Sequence, residues 1–155
     1  MKTINQWLAE YGESHQNPTN KTVHWVCVPL IVWSIVGLFH SIKLSFFSIG
    51  NVQGSVGIVV LILTFIYYFI LSKPLSIGLF IFSATCIYIC HFIEQSGIAP
   101  LWQFSVTVFV LAWIGQFWGH KVEGKKPSFL KDIQYLMIGP AWLMSFIYQR
   151  LGISY

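Results

Sequence analysis

The residues of this chain best suited to chemistry are histidines in two polar stretches, one near each end of the sequence. The first stretch, residues 11–24, contains His15 and His24, and the second, residues 116–127, contains His120. Most of the residues between the two stretches are apolar. Ionisable groups are costly in such surroundings and usually serve a function there. We therefore expect these histidines to take part in chemistry.

The spacing within each stretch brings polar side chains onto one face of a helix. Residues three or four positions apart are neighbours on a helix, so Gln116, His120 and Glu123 share a face, as do Asn20 and His24. Two or three histidines with one carboxylate, and with coordination positions left open, suit a non-haem Fe(II) site. The same ligands could hold zinc for a hydrolytic reaction.

Ordinary structural roles for these residues remain open at this point. A single histidine at a membrane interface usually bonds a headgroup or the backbone, and aromatic residues on its flanks form an interfacial belt. Glu123 could pair with Lys121 or Lys126 instead of a metal. Asn17 and Asn20 could act first as helix caps.

The composition indicates a single-domain integral membrane protein, residues 1–155. Of the 155 residues, 55% are hydrophobic and 9% are charged, against roughly 25% charged residues in soluble domains. A membrane-spanning helix needs about 20 apolar residues. Four runs without Asp, Glu, Lys or Arg reach that length: 22–42, 44–72, 74–93 and 95–120. A fifth run, 133–149, is shorter and is interrupted by Gly139 and Pro140.

Several other classes are disfavoured. The net charge of +4 does not indicate nucleic-acid binding, because no basic cluster alternates with aromatic residues. A polar stretch precedes the first apolar run, so we do not expect that run to be a removable signal peptide. The three cysteines lie in apolar runs and imply no disulfide framework.

The predicted fold class is an all-α integral membrane protein, a compact bundle of four or five transmembrane helices. A short N-terminal helix, 3–12, carries apolar residues at helical spacing and should lie in the membrane interface. The last segment, 129–150, either crosses the membrane or re-enters it. The predicted spans are about 18–40, 55–72, 75–93 and 100–121.

The distribution of basic residues predicts a cytoplasmic N-terminus, in the inner membrane if the protein is bacterial. Lys43 would lie outside in either arrangement of the last segment. Arg150 would lie outside if that segment crosses the membrane and would be cytoplasmic if it re-enters. The remaining basic residues would all be cytoplasmic: Lys2, Lys21, Lys73, Lys121, Lys125, Lys126 and Lys131.

This topology sorts the five histidines. His15, His24 and His120 can converge at the cytoplasmic face. His40 ends the first span on the far side, about 24 Å from His24 at the rise of a helix. His91 lies near the outer end of the third span, so neither His40 nor His91 is expected in the site.

The two polar stretches resemble the signatures of the yeast 2-hydroxy fatty acid dioxygenase family (domain of unknown function 962), in a bacterial-type form. The resemblance covers both ends of the chain, whereas 41–98 carries no motif of the family. The matching segments are Tyr11-x3-His15-Gln-Asn-Pro18-x-Asn20-x3-His24-x4-Pro29 and Trp113-Ile-Gly-Gln116-Phe-x-Gly-His120-Lys-x-Glu123-Gly-Lys-Lys-Pro127-Ser.

The resemblance implies an Fe(II)-dependent dioxygenase that uses O₂ to shorten 2-hydroxy fatty acids by one carbon, as in α-oxidation. His15, His24 and His120 match the motif histidines and would hold the metal. Glu123 is a further candidate ligand, although the yeast-like branch has an aromatic residue before this glutamate, which shifts it by one helical position. The expected supporting or substrate-positioning residues are Tyr11, Asn17, Asn20 and Gln116.

A 2-hydroxy acid suits such a site because its carboxylate and α-hydroxyl can both bind iron and leave a position for O₂. The acyl tail would then lie between the spans. Four lysines are candidates for neutralising the carboxylate as the substrate approaches: Lys21, Lys121, Lys125 and Lys126.

Two other kinds of function stay open. One is a zinc-type lipid hydrolase, since the ligand types alone do not choose between zinc and iron. The other is a non-enzymatic lipid-binding or scaffold protein, which should hold no tight metal and tolerate His24→Ala. A desaturase-like di-iron enzyme needs more clustered histidines, and a transport path needs more polar residues at mid-membrane.

Overall fold

The protein is mostly helical, with one small β-hairpin. A computed structural model describes residues 2–124 and 129–155. Its elements are α1 Ile4–Glu13, α2 Pro18–His40, β1 Lys43–Ile49, β2 Val52–Ser55, α3 Val56–Leu71, α4 Lys73–Ser96, α5 Leu101–Glu123 and α6 Phe129–Arg150.

Local sequence signals explain where several of these helices begin and end. Thr3 and Gln6 form a capping box at the start of α1, and the Asn17 side chain caps α2 ahead of Pro18. Gly97 ends α4 in the left-handed conformation that glycine adopts without strain. The helix bounds therefore follow largely from residues next to each helix.

Three helices in the described part of the chain are long and apolar enough to cross a membrane. They are α2, α4 and α5, of 23, 24 and 23 residues. The fourth apolar helix, α3, has 16 residues, or about 24 Å at 1.5 Å per residue. Its length is short of the roughly 30 Å of a typical hydrocarbon core.

The β-hairpin corrects the expectation of an all-α chain. Strands β1 and β2 pair antiparallel around a turn at Gly50 and Asn51, with Ile49 opposite Val52. Gly50 has φ +57, which glycine tolerates. The absence of charge in 44–72 made this segment look like part of a span, but a Gly-Asn pair between short apolar runs is itself a hairpin signal.

The C-terminal part of the last helix, α6, contacts the start of α4. We call the end where α2 begins and α5 ends the proximal end, and the end carrying the hairpin the distal end. Because α3 starts at the hairpin, α4 starts at the proximal end. In α6, the Tyr148 hydroxyl donates to the Pro74 carbonyl (2.7 Å) in the first turn of α4. Whether the last segment crosses the membrane or re-enters it stays a prediction.

Helices α2 and α5 approach each other closely along small residues. A Cβ atom on Gly115 would lie 2.7 Å from Cys27 Sγ, and one on Gly119 would lie 2.6 Å from Asn20 Oδ1. Gly115 and Gly119 form a G-x-x-x-G pair, the pattern that lets helix backbones meet inside membranes. The close approach fixes the proximal ends of α2 and α5 relative to each other.

Candidate metal centre

Three imidazoles meet at the proximal end. The candidate ligand atoms of His15, His24 and His120 all lie within 4.8 Å of one another. Ring centroids are 4.2 Å apart for His15 and His24, 5.1 Å for His24 and His120, and 5.5 Å for His15 and His120. His15 and His24 are almost completely buried, at 2% and 1% exposure.

Each histidine of this triad comes from a different part of the fold. His24 lies in the second turn of α2, and His120 lies in the last turn of α5. Their positions depend on the close α2–α5 contact. His15 lies in the short loop between α1 and α2, and its position depends on α1 and α6.

Backbone hydrogen bonds determine which nitrogens of His15 and His24 face the possible metal position. His15 Nδ1 lies 2.6 Å from the Tyr11 carbonyl oxygen, and His24 Nδ1 lies 2.9 Å from the Asn20 carbonyl oxygen. A carbonyl oxygen only accepts, so each Nδ1 carries the hydrogen. In the neutral rings, both Nε2 atoms therefore present lone pairs.

These two Nε2 atoms lie 2.8 Å apart. Two lone pairs that face each other at this distance repel unless a proton on one ring makes a hydrogen bond or a metal ion binds both. His120 offers a third nitrogen within reach, and neutral imidazoles whose other nitrogen bonds a carbonyl are the usual metal-ligating form. The donor set therefore fits a divalent transition metal.

Aromatic rings hold His15 on two sides. The Tyr11 ring stacks on the His15 ring at 4.2 Å with an interplanar angle of 12°. The Trp142 ring of α6 lies 5.3 Å from His15 and 5.2 Å from Tyr11. Gly139 lets α6 approach here, since its Cβ would lie 3.2 Å from the Tyr11 hydroxyl. Trp142 was absent from the sequence-based candidates, and nothing in its local motif marks it as part of the site.

Glu123 fastens the His15 loop to the end of α5. Its Oε1 accepts from the Gln16 backbone N–H (2.9 Å), and its Oε2 accepts from the Asn17 backbone N–H and from Asn20 Nδ2 (both 3.0 Å). Glu123 thus bonds the end of the α1–α2 loop and the first turn of α2, and it is not among the three residues of the candidate metal-binding group. Direct ligation by Glu123 stays a prediction.

Two amide oxygens remain without a hydrogen bond near the triad. Asn20 is fully buried, and because its Nδ2 bonds Glu123, its Oδ1 is the atom that finds no partner in the described residues. Gln116 is 6% exposed, and its Oε1 likewise finds no partner there. Asn20 lies one turn from His24 and Gln116 one turn from His120. Asn17 was also expected to support the site. Its Oδ1 accepts from the Thr19 N–H (2.8 Å) and so caps α2.

The lysines expected near the substrate carboxylate are only partly described. Lys21 is half-buried in the first turn of α2, and Lys121 is exposed next to His120. Lys125 and Lys126 lie outside the described residues. A role for any of them in carboxylate binding stays a prediction.

The other two histidines lie in the distal half of the bundle. His40 is fully buried, with Nδ1 2.6 Å from Ser55 Oγ and Nε2 3.6 Å from Glu94 Oε2. His91 lies on α4, and its Nε2 is 2.8 Å from Gln95 Nε2. Neither belongs to the metal-binding group of the described chain.

Comparisons with known proteins agree with this picture. The family model described as 2-hydroxy-palmitic acid dioxygenase Mpo1-like matches residues 1–151. The 2-hydroxy-palmitic acid dioxygenase MPO1 of Saccharomyces cerevisiae is 28% identical over 149 residues, covering 94% of this chain and 79% of the yeast protein. No solved structure matches the chain. With residues 1–151 matched, this chain belongs to the Mpo1-like family.

Proposed function

We propose that this protein is a membrane-embedded Fe(II)-dependent dioxygenase that shortens 2-hydroxy fatty acids by one carbon. The observation that carries the proposal is the pair of Nε2 atoms of His15 and His24, 2.8 Å apart with both Nδ1 atoms bonded to carbonyls. The name of the yeast relative, a 2-hydroxy-palmitic acid dioxygenase, supports this choice of substrate class.

The triad would hold the metal by three neutral nitrogens and leave its other positions open. Bound Fe(II) would supply a Lewis-acidic centre at which the substrate's carboxylate and α-hydroxyl could be brought together with O₂. Tyr11 and Trp142 keep the His15 ring in one plane. Their contribution is orientation and exclusion of water from one side of the site.

Asn20 and Gln116 offer a basis for selecting the 2-hydroxyl group. Their unpartnered oxygens are acceptors, so they match a hydroxyl donor and do not match a carboxylate. A buried acceptor without a partner costs about 1–3 kcal/mol, and a bound hydroxyl, which has one proton to donate, would offset that cost at one of the two oxygens. An unhydroxylated fatty acid would leave both oxygens without a hydrogen-bond donor. Lys21 and Lys121 would draw the carboxylate to this end of the bundle by charge.

Metal analysis combined with oxygen uptake tests the function. Anaerobically purified wild-type protein should contain stoichiometric iron, and His24→Ala and His120→Ala should each lose it. His91→Ala is the matched control, since it removes an imidazole from the distal half. Stoichiometric iron in both site variants would contradict the ligand assignment, and stoichiometric zinc in place of iron would favour a hydrolase.

The reaction itself is followed with two substrates that differ by one hydroxyl group. The iron-loaded protein should consume O₂ with 2-hydroxypalmitate and not with palmitate, and mass spectrometry should find a product one carbon shorter. No uptake by iron-loaded protein would count against a dioxygenase. Equal uptake with both acids would count against selection by Asn20 and Gln116.

A further inference from the structure

An apolar cleft lies between α2, α4 and α6, deeper in the bundle than the triad. Trp25 and Val28 line it on α2, Leu79 and Phe82 on α4, and Pro140 and Leu143 on α6. Every residue that lines the cleft is apolar. The cleft is therefore suited to a hydrocarbon ligand and unsuited to a charged one.

The cleft lies next to the metal centre. Val28 lies one helical turn beyond His24, so the cleft begins about 6 Å along α2 from the triad. A Cβ on Gly139 would lie 3.2 Å from both the Tyr11 hydroxyl and Val28 Cγ1, so the α6 backbone packs against a residue of each region. Trp142, which packs on His15, is followed in the chain by Leu143 of the cleft wall.

The inner end of the cleft is closed by a partition of three side chains. Leu79, Phe82 and Pro140 line the cleft and also line a second apolar cavity beyond it, which reaches Val36 of α2 and Leu61 of α3. Leu79 is 3% exposed, whereas Phe82 is half-buried. Removing the Phe82 ring would join the two spaces.

We propose that this cleft binds the acyl tail of the substrate and that the partition limits how long that tail can be. The inference rests on the proposed function, because the cleft is the apolar space one helical turn from the triad in which a 2-hydroxy acid held there could place its tail. A tail arriving from the bilayer gains little from burial, since lipid is as apolar as the cleft. Space, and not hydrophobic affinity, therefore selects chain length.

Substitution of the partition tests the length limit. Phe82→Ala should raise turnover of 2-hydroxy acids longer than the wild-type optimum at least several-fold relative to 2-hydroxyoctanoate. Leu79→Trp should lower turnover of long acids by a similar factor and spare the short one. Phe80→Ala and Ile77→Trp are matched controls on the exposed face of α4, where these residues are 56% and 61% exposed. Iron content of each variant reports folding.

A wild-type length profile in Phe82→Ala would overturn the role of the partition, even if Leu79→Trp fails to fold. Crosslinking provides a readout that needs no turnover. A 2-hydroxypalmitate with a mid-chain diazirine should label peptides of 25–29 and 140–147, and unlabelled 2-hydroxypalmitate should compete. Label confined to lipid-facing α3 would overturn the cleft as the tail site. Competed label in the cleft without O₂ uptake would keep the tail site and contradict the proposed reaction.

Discussion

His15 depends on its neighbours more than the other two histidines of the triad do, because it alone lies outside a helix. Its Nδ1 bonds the Tyr11 carbonyl, and its ring is stacked on Tyr11 beside Trp142. The loop that carries it is bound to α5 through Glu123. We therefore assign Glu123 a positioning role, in which its charge and its hydrogen bonds hold the loop.

Glu123→Gln should weaken metal binding without unfolding the protein. A glutamine keeps one carbonyl oxygen, so at least one of the three N–H donors loses its acceptor and the others lose a charged one. Loss of an outer partner that holds a ligand typically costs 10–100-fold in metal affinity. Competition with a chelator measures the affinity, and Glu94→Gln at the distal end is the matched control. Complete loss of iron, equal to that of His24→Ala, would instead indicate that Glu123 is a ligand.

The convergence of the three histidines could be predicted at the level of single residues, but their surroundings could not. If successive spans run in opposite directions, the helix ends that carry His24 and His120 lie at the same membrane face. The structure brings His15 to the same place. Trp142 reaches the site from α6, far from His15 in the sequence, and no local pattern predicts that contact. Glu123 holds the α1–α2 loop through bonds to backbone N–H groups. Because every residue except proline has such a group, the sequence does not predict these bonds.

At the scale of elements, the contact between α2 and α5 determines the distance between His24 and His120. Gly119→Ala should disturb it, because the new Cβ would lie 2.6 Å from Asn20 Oδ1 and 3.1 Å from Val23 Cγ1. Asn20 cannot withdraw without losing its bond to Glu123. Overpacking of this kind costs about 1–3 kcal/mol, against about 1 kcal/mol gained from replacing a helical glycine.

We therefore expect Gly119→Ala to lower iron affinity clearly. The free energy of unfolding should change by at most about 2 kcal/mol, the largest overpacking cost minus the gain from replacing a helical glycine. Val122→Ala, on an exposed side of the same helix end, should change neither property. Chelator competition and thermal unfolding in detergent are the measurements. Wild-type affinity in Gly119→Ala would show that the helices can separate without moving the histidines.

Helices could be predicted from the sequence more readily than the hairpin and the path of α6. Apolar runs and caps mark the helices. For example, the Ser72 hydroxyl accepts from the Leu75 N–H and lets α4 begin at Lys73. The hairpin lacks charged residues after Lys43 and so resembles the span that follows it. The position of α6 depends on contacts between residues distant in sequence, such as Tyr148 and Pro74.

The whole molecule divides into a proximal end with the candidate metal centre and a distal end held by polar contacts. At the distal end, Lys43 Nζ lies 2.6 Å from Glu94 Oε1, and His40 bonds Ser55. These contacts tie the hairpin to α2 and α4. Helices α2 to α5 alternate across the bundle. Both α1 and the C-terminal part of α6 contact the proximal end, opposite the hairpin turn.

Cysteine accessibility should show the two chain ends on one side of the membrane and the hairpin turn on the opposite side. The positive-inside rule predicts that the shared side is cytoplasmic. The natural cysteines Cys27, Cys86 and Cys90 are buried, so the background of labelling should be low. In intact cells, an impermeant thiol reagent should label Asn51→Cys and leave Asn5→Cys and Ser154→Cys unlabelled until the membrane is opened; all three positions are exposed. Labelling of Ser154→Cys from outside would mean that α6 crosses the membrane, and labelling of Asn5→Cys would reverse the predicted orientation.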